Sequence, residues 1–192
     1  MISSGGPIPT YFPPELLKES VSPSLRCGLP AKPYPVISSI ENEWYSAQLA
    51  AANEPSLFRE LKRKSRQHDR LRFSYIPSFE STLIVRVELK PGSERLVAKK
   101  LTGQGGYEPG HIAKSVERRL SRPEASALRK LMANTRILEI RSNECTPGLD
   151  GEMWLIEGVD RRGYHYVERW SPDDGAVHTV GTFLLKLAGL NN

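Results

Sequence analysis

Between Leu71 and Leu89 apolar side chains recur at every second residue: Leu71, Phe73 and Tyr75, then, past the break at Pro77-Ser78, Leu83, Val85, Val87 and Leu89. A two-residue repeat lines one face of a pleated strand, whereas a helix would need steps of three and four. The stretch is therefore expected to fold as half-buried strands. Pro91-Gly92-Ser93 marks a turn into a further strand, Arg95–Leu101, which makes an antiparallel meander.

Near the C-terminal end the same alternation returns. Glu152–Val159 and Tyr164–Trp170 flank Asp160-Arg161-Arg162-Gly163, which reads as a four-residue hairpin connection with glycine at a position suited to positive φ. On the second of these strands His165 shares a face with Val167 and Arg169, and Tyr164, Tyr166, Glu168 and Trp170 share the other. His111–Leu120 fits a strand, although Ile112, Val116 and Leu120 also suit one face of a helix.

Helices should frame these strands. Ser121 and Glu124 form a Ser-x-x-Glu capping box with Pro123 in the first turn, and Leu128, Leu131 and Met132 follow on one face, so a helix runs to about Asn134. Ser171-Pro172-Asp173-Asp174 supplies a turn and cap for a last helix carrying Val177, Val180, Leu184 and Leu187. A helix from Ser38 or Ser39 to Ala52 would bury Ile40, Trp44, Ala47 and Ala51, and a short one from Ser56 to about Lys64 would bury Leu57 and Leu61. The expected fold is α+β: an antiparallel sheet of five or six strands, with the Ser121 and C-terminal helices on one face. Its core should include Leu83, Val85, Val87, Val97, Leu128, Leu131, Leu155, Val167, Leu184 and Leu187.

Eight prolines before residue 36 remove backbone donors and exclude long regular structure there. Residues 1–37 read as an extended arm, with the N-terminal helix wrapped outside the sheet and Tyr11, Phe12, Leu16 and Leu17 apolar enough to dock; residues 38–192 read as one domain. The residues up to Pro14 have neither a basic n-region nor an apolar h-region, and no apolar run approaches the roughly 18 residues of a membrane span. The expectation is a cytoplasmic protein, or a periplasmic one if a signal peptide has been removed.

Charge is polarised along the chain. Between Arg59 and Arg72 seven basic residues, among them Arg63, Lys64, Arg66 and Arg70, face only Glu60 and Asp69, an excess of five that equals the whole net charge of +5. Such a cluster could neutralise phosphates of a nucleic acid, but it has only Phe58 as an aromatic neighbour before the strand and no recognisable binding motif, so a solvated helix face is the commoner arrangement. From Glu144 onward eight acids outnumber four bases.

Chemical signatures are sparse. The loop Gly103-Gln-Gly-Gly-Tyr107-Glu108-Pro-Gly110 matches neither GxGxxG nor GxxxxGK[ST], so it reads as a sheet connection and not as a phosphate cradle; Tyr107 and Glu108 on it should be exposed to partners. The four histidines and the two cysteines, Cys27 and Cys145, have no metal-site or redox spacing, and no cofactor is expected; a disulfide between the cysteines stays open. The best enzymatic pattern is a carboxylate set, Asp150, Glu157 and Glu168, as a hydrolase would need, against the blander arrangement of cross-strand ion pairs with Arg162 and Arg169.

Three strings, Gly105-Gly106-Tyr107-Glu108-Pro109-Gly110, Gly148-Leu149-Asp150-Gly151 with Trp154 and Glu157-Gly158, and Tyr164-His165 with Arg169-Trp170-Ser171-Pro172, resemble a group of uncharacterised bacterial proteins over about Leu71–Leu190. The resemblance implies a bacterial origin and carries no activity. The functional expectation is a non-enzymatic protein-binding protein, in the manner of an immunity protein that blocks a cognate toxin or effector. Its contact residues would be Tyr107, Glu108, Asp150, Trp154, Glu157, His165 and Arg169.

Overall fold

The structure, a computed structural model, describes residues 11–19, 34–62, 68–144, 148 and 150–190. The remainder of the arm, Cys27 and Cys145 with the open question of their disulfide, and Arg63, Lys64 and Arg66 of the basic cluster lie outside the described residues.

Six antiparallel strands form one sheet in the order β4-β3-β2-β1-β5-β6. They are β1 (Arg70–Pro77), β2 (Leu83–Glu88), β3 (Arg95–Leu101), β4 (Ile112–Arg119), β5 (Glu152–Asp160) and β6 (Gly163–Trp170). The α+β class and the antiparallel sheet are thus as expected. The long connection between β4 and β5 brings the C-terminal hairpin to the free side of β1, where Phe73 pairs Ile156 and Tyr75 pairs Trp154.

On the first face lie α4 (Arg122–Thr135) and α5 (Gly175–Ala188). Leu71, Phe73, Val85, Val87, Leu96, Ile156 and Val167 from the sheet meet Ala125 and Leu128 of α4 and Val177, Val180 and Leu184 of α5 in one core. Both parts of the capping box on α4 form, Ser121 accepting from the Glu124 N–H and Glu124 accepting from the Ser121 N–H. Of the residues expected in it, Leu83, Leu131 and Leu187 are only partly buried at the margin of this core, and Leu155 belongs to the opposite face.

The second face carries the complementary strand residues Ile76, Ile84, Leu101, Leu155 and Tyr166, covered by α2 (Ser39–Ala51) and by the arm. The arm docks: Tyr11 and Phe12 are buried, the short α1 (Pro14–Leu17) follows, and the Ile37 N–H donates to the Leu16 carbonyl at 2.9 Å. Helix α2 is rotated from its expected phase. It buries Tyr45, Ser46, Gln48 and Leu49, and Ile40 stands 78% exposed, because the arm and a loop of the sheet claim the face that spacing alone assigned elsewhere. The short α3 (Leu57–Lys62) completes the set.

The β5–β6 connection is tighter than expected. Asp160 pairs with Gly163, leaving two residues in the turn, and Asp160 Oδ1 accepts from the Arg162 N–H at 2.8 Å. Gly163 takes φ +137°, a value that side-chain-bearing residues avoid. Among the described residues no helix is long and apolar enough to cross a membrane.

Candidate functional site

Strand register decides which candidate residues meet. Pro77 at the end of β1 pairs with Glu152 at the start of β5, Tyr75 pairs with Leu83 at the start of β2, and Leu83 pairs with Lys100 near the end of β3. One end of the sheet therefore gathers the 78–82 turn, the glycine loop after β3 and the segment leading into β5. The 78–82 turn is tied to that segment directly, Ser78 N–H donating to the Gly151 carbonyl at 2.8 Å and Gly151 N–H to Ser78 Oγ at 3.2 Å.

The glycine loop is pinned. Its own ladder runs Thr102 N–H to the His111 carbonyl at 2.9 Å, Gly103 N–H to Pro109 at 3.1 Å and Gln104 N–H to Glu108 at 3.1 Å. Gly105 and Gly106 N–H groups donate to the carbonyls of Glu80 and Ser78 at 2.8 and 3.2 Å, zipping this loop to the 78–82 turn. From α2, Trp44 Nε1 and Gln48 Nε2 both donate to the Gly105 carbonyl, at 2.5 and 2.9 Å, and Thr82 Oγ1 donates to Gln48 Oε1 at 2.8 Å. A Cβ on Gly105 would lie 2.5 Å from the Pro77 carbonyl oxygen, so the approach of the two loops demands glycine. The loop presents Tyr107, 64% exposed, beside Phe79, 55% exposed, with ring centroids 6.3 Å apart.

Next to this aromatic pair a cleft of about 510 Å³ opens on the first face. Its walls include Tyr75, Glu80, Lys100, Glu152 and Trp154, with Leu83, Leu185 and Leu190 as the apolar part. Glu152 is held from both sides, Tyr75 Oη donating to Oε2 at 2.6 Å and Trp154 Nε1 to Oε1 at 2.8 Å. Burial first, then the bond to Glu152 and the negative charges of Glu152 and Glu80, raise the Tyr75 phenol above its ordinary pKa, so it remains a donor. The Trp154 ring is stacked on His178 at 5.6 Å and meets Phe73 edge-on at 5.1 Å.

The other candidates lie elsewhere. Glu157 is wholly buried on the second face, where Arg72 donates to its Oε2 from Nε and Nη2 at 2.7 and 2.5 Å and Tyr164 Oη donates to Oε1 at 2.8 Å. A second buried carboxylate, Glu54, takes Arg86 Nε at 2.8 Å and Lys99 Nζ at 2.7 Å. Glu168 accepts from Tyr166 Oη at 2.6 Å, and Asp150 is exposed. The cross-strand pairs expected of Arg162 and Arg169 with Glu157 and Glu168 are replaced: Arg162 binds Asp160 and Glu139, and Arg169 binds Glu144 and the carbonyls of Arg141 and Ser142. Arg72 of β1 and the segment after α4 reach Glu157 and Arg169 first, while Glu168 is held by Tyr166 and Arg162 by Asp160 within the hairpin.

His165 Nε2 lies 2.8 Å from Asp160 Oδ1. Burial disfavours the Asp160 carboxylate, but its bonds with His165 and Arg162 outweigh that and bring its pKa down to about 2. Arg70 is bound to Glu60 at 2.7 Å and Arg72 is buried, so these two described members of the basic cluster are committed to carboxylates inside the protein. No group of three or more potential metal ligands occurs among the described residues.

Of the residues singled out by the sequence, Tyr107, Glu108, Asp150 and Trp154 lie at one end of the sheet, beside Tyr75, Phe79, Glu80 and Glu152, which local pattern does not single out. Two signals were available: Glu152 and Trp154 are two residues apart and so share a strand face, and Phe79 is a large aromatic inside a polar turn. No family model matches this chain, and no curated protein matches it.

Proposed function

We propose that this chain is a non-enzymatic protein-binding protein whose contact surface is built on the Phe79–Tyr107 pair. The observation that carries the reading is the exposure of two touching aromatic rings on loops that are hydrogen-bonded to each other and to α2. Exposed aromatics are favoured anchors of protein interfaces, and a loop already held in place loses little entropy on binding. Glu80, Glu108 and Asp150 around the pair would supply a polar rim.

The finer reading is an immunity-type protein of bacterial origin, a rigid plug for one cognate effector. Glu157 and Glu168 serve as acceptors for Arg72 and Tyr166, which suits a structural role better than acid–base work. Co-expression with the product of the adjoining gene, followed by size-exclusion chromatography, tests both levels. A 1:1 complex that weakens by tenfold or more with Phe79→Ser or Tyr107→Ser, at unchanged melting temperature, is the expected outcome. A complex indifferent to both substitutions would remove this surface from the reading.

A further inference from the structure

The cleft beside the aromatic pair carries a second inference, which does not rest on a role of Phe79 and Tyr107 in binding. Glu152 is not satisfied in the way a structural ion pair would be. Among the described residues its two oxygens receive one neutral donor each, from Tyr75 and Trp154, whereas a carboxylate offers about four acceptor positions. Two neutral donors fix the plane of the group without cancelling its charge. Glu80 adds a second carboxylate to the wall and Lys100 one ammonium, so the described residues of the lining carry an excess of one negative charge. Leu83, Leu185 and Leu190 supply an apolar sleeve in the same cavity.

An apolar sleeve ending in an oriented carboxylate matches a cation on an alkyl stem, which buries its methylenes and presents its charge at the tip. A guanidinium fits best, because its planar fork meets a carboxylate with two parallel hydrogen bonds. A volume near 510 Å³ lies within the range of small-ligand sites, roughly 300–1,000 Å³. We propose that this cleft is a binding site for an alkyl-guanidinium group, with Glu152 as its acceptor, Glu80 as supporting charge and Tyr75 and Trp154 as the residues that hold Glu152 in orientation. The group is carried either by a small molecule or by an arginine side chain of another protein.

The test is titration of the full chain with n-butylguanidine and with a capped Ala-Arg-Ala tripeptide, following the Trp154 indole N–H by NMR, with a capped Ala-norleucine-Ala tripeptide as control. Both guanidinium probes shift the Trp154 signal and the control does not; tighter binding of butylguanidine identifies a small-molecule site, tighter binding of the tripeptide a side-chain site. Glu152→Gln weakens either probe by roughly tenfold or more. Lys100→Gln, which removes the like charge, tightens it, and so keeps the proposal testable should Glu152→Gln fold poorly. Absence of a Trp154 shift with both guanidinium probes, an unchanged affinity in Glu152→Gln, or weaker binding in Lys100→Gln would overturn the assignment.

Discussion

Arg72 on β1 and Glu157 on β5 face each other across the centre of the sheet with side chains 0% and 1% exposed. Two nitrogens of the guanidinium converge on one carboxylate oxygen, and the third donates to the Pro55 carbonyl at 2.6 Å. The pair therefore fixes the α2–α3 connection to the sheet. Burying two charges gains little over apolar packing, but removing one leaves the other stranded. Glu157→Gln is expected to cost about 3 kcal/mol in urea denaturation. Combining Arg72→Met with Glu157→Leu should cost at least ~1 kcal/mol less than the sum of the two single changes, the sign of direct coupling.

The docked arm should behave as part of the core. Phe12 is fully buried and meets Tyr45 and Tyr166 edge-on, with centroids at 6.3 and 5.7 Å. Phe12→Ala removes a large ring from a packed site and is expected to destabilise by about 3–4 kcal/mol. Urea denaturation reads the loss, and limited proteolysis should then cut first within the arm.

Helix α5 lies so close to the sheet that Gly181 faces the Trp154 ring. A Cβ there would sit 2.5 Å from Trp154 Cε3 and 2.7 Å from Phe73 Cε2. Alanine favours a helix interior by about 1 kcal/mol over glycine, but forcing apart two buried rings costs about 1–3 kcal/mol. Packing should win, so Gly181→Ala lowers the melting temperature. A rise would mean that the helix shifts freely.

Part of the acid sensitivity should be traceable to the α4 cap. Arg118 donates to both oxygens of Glu124 at 3.0 and 2.8 Å, and the Ser121 N–H donates at 2.7 Å; these bonds lower its pKa from 4.5 to about 2. A carboxylate depressed on folding contributes stability above its unfolded pKa and loses it as the pH falls through the folded one. The window is pH 4.5 down to about 2. Glu124→Gln should flatten the stability profile there, and Ser121→Ala should cost about 1 kcal/mol at neutral pH through loss of the cap.

Local pattern was enough for the six strands and for the identity of both helices on the first face. Alternation at Leu71–Leu89 needed no distant partner to be read, since the pleat alone sends successive side chains to opposite sides. The Ser121–Glu124 box was equally legible, because cap and helix are neighbours in the chain. Tyr107 could be placed on an outward loop by its glycines, and Trp154 on a strand by its neighbours.

What the chain could not announce was pairing at long range. The amino-acid sequence by itself determined an antiparallel α+β fold, the faces of its strands and the exposure of the glycine loop, all of which follow from periodicity and backbone sterics over a few residues. Only the tertiary structure decided that β5 lies beside β1, and hence that Glu157 meets Arg72 instead of an arginine of its own hairpin, that α2 turns Ile40 outward, and that Tyr75, Glu80, Lys100 and Glu152 share a cleft. Those outcomes depend on sheet order and register, which are set by the competition of all strands for one core and not by any segment alone.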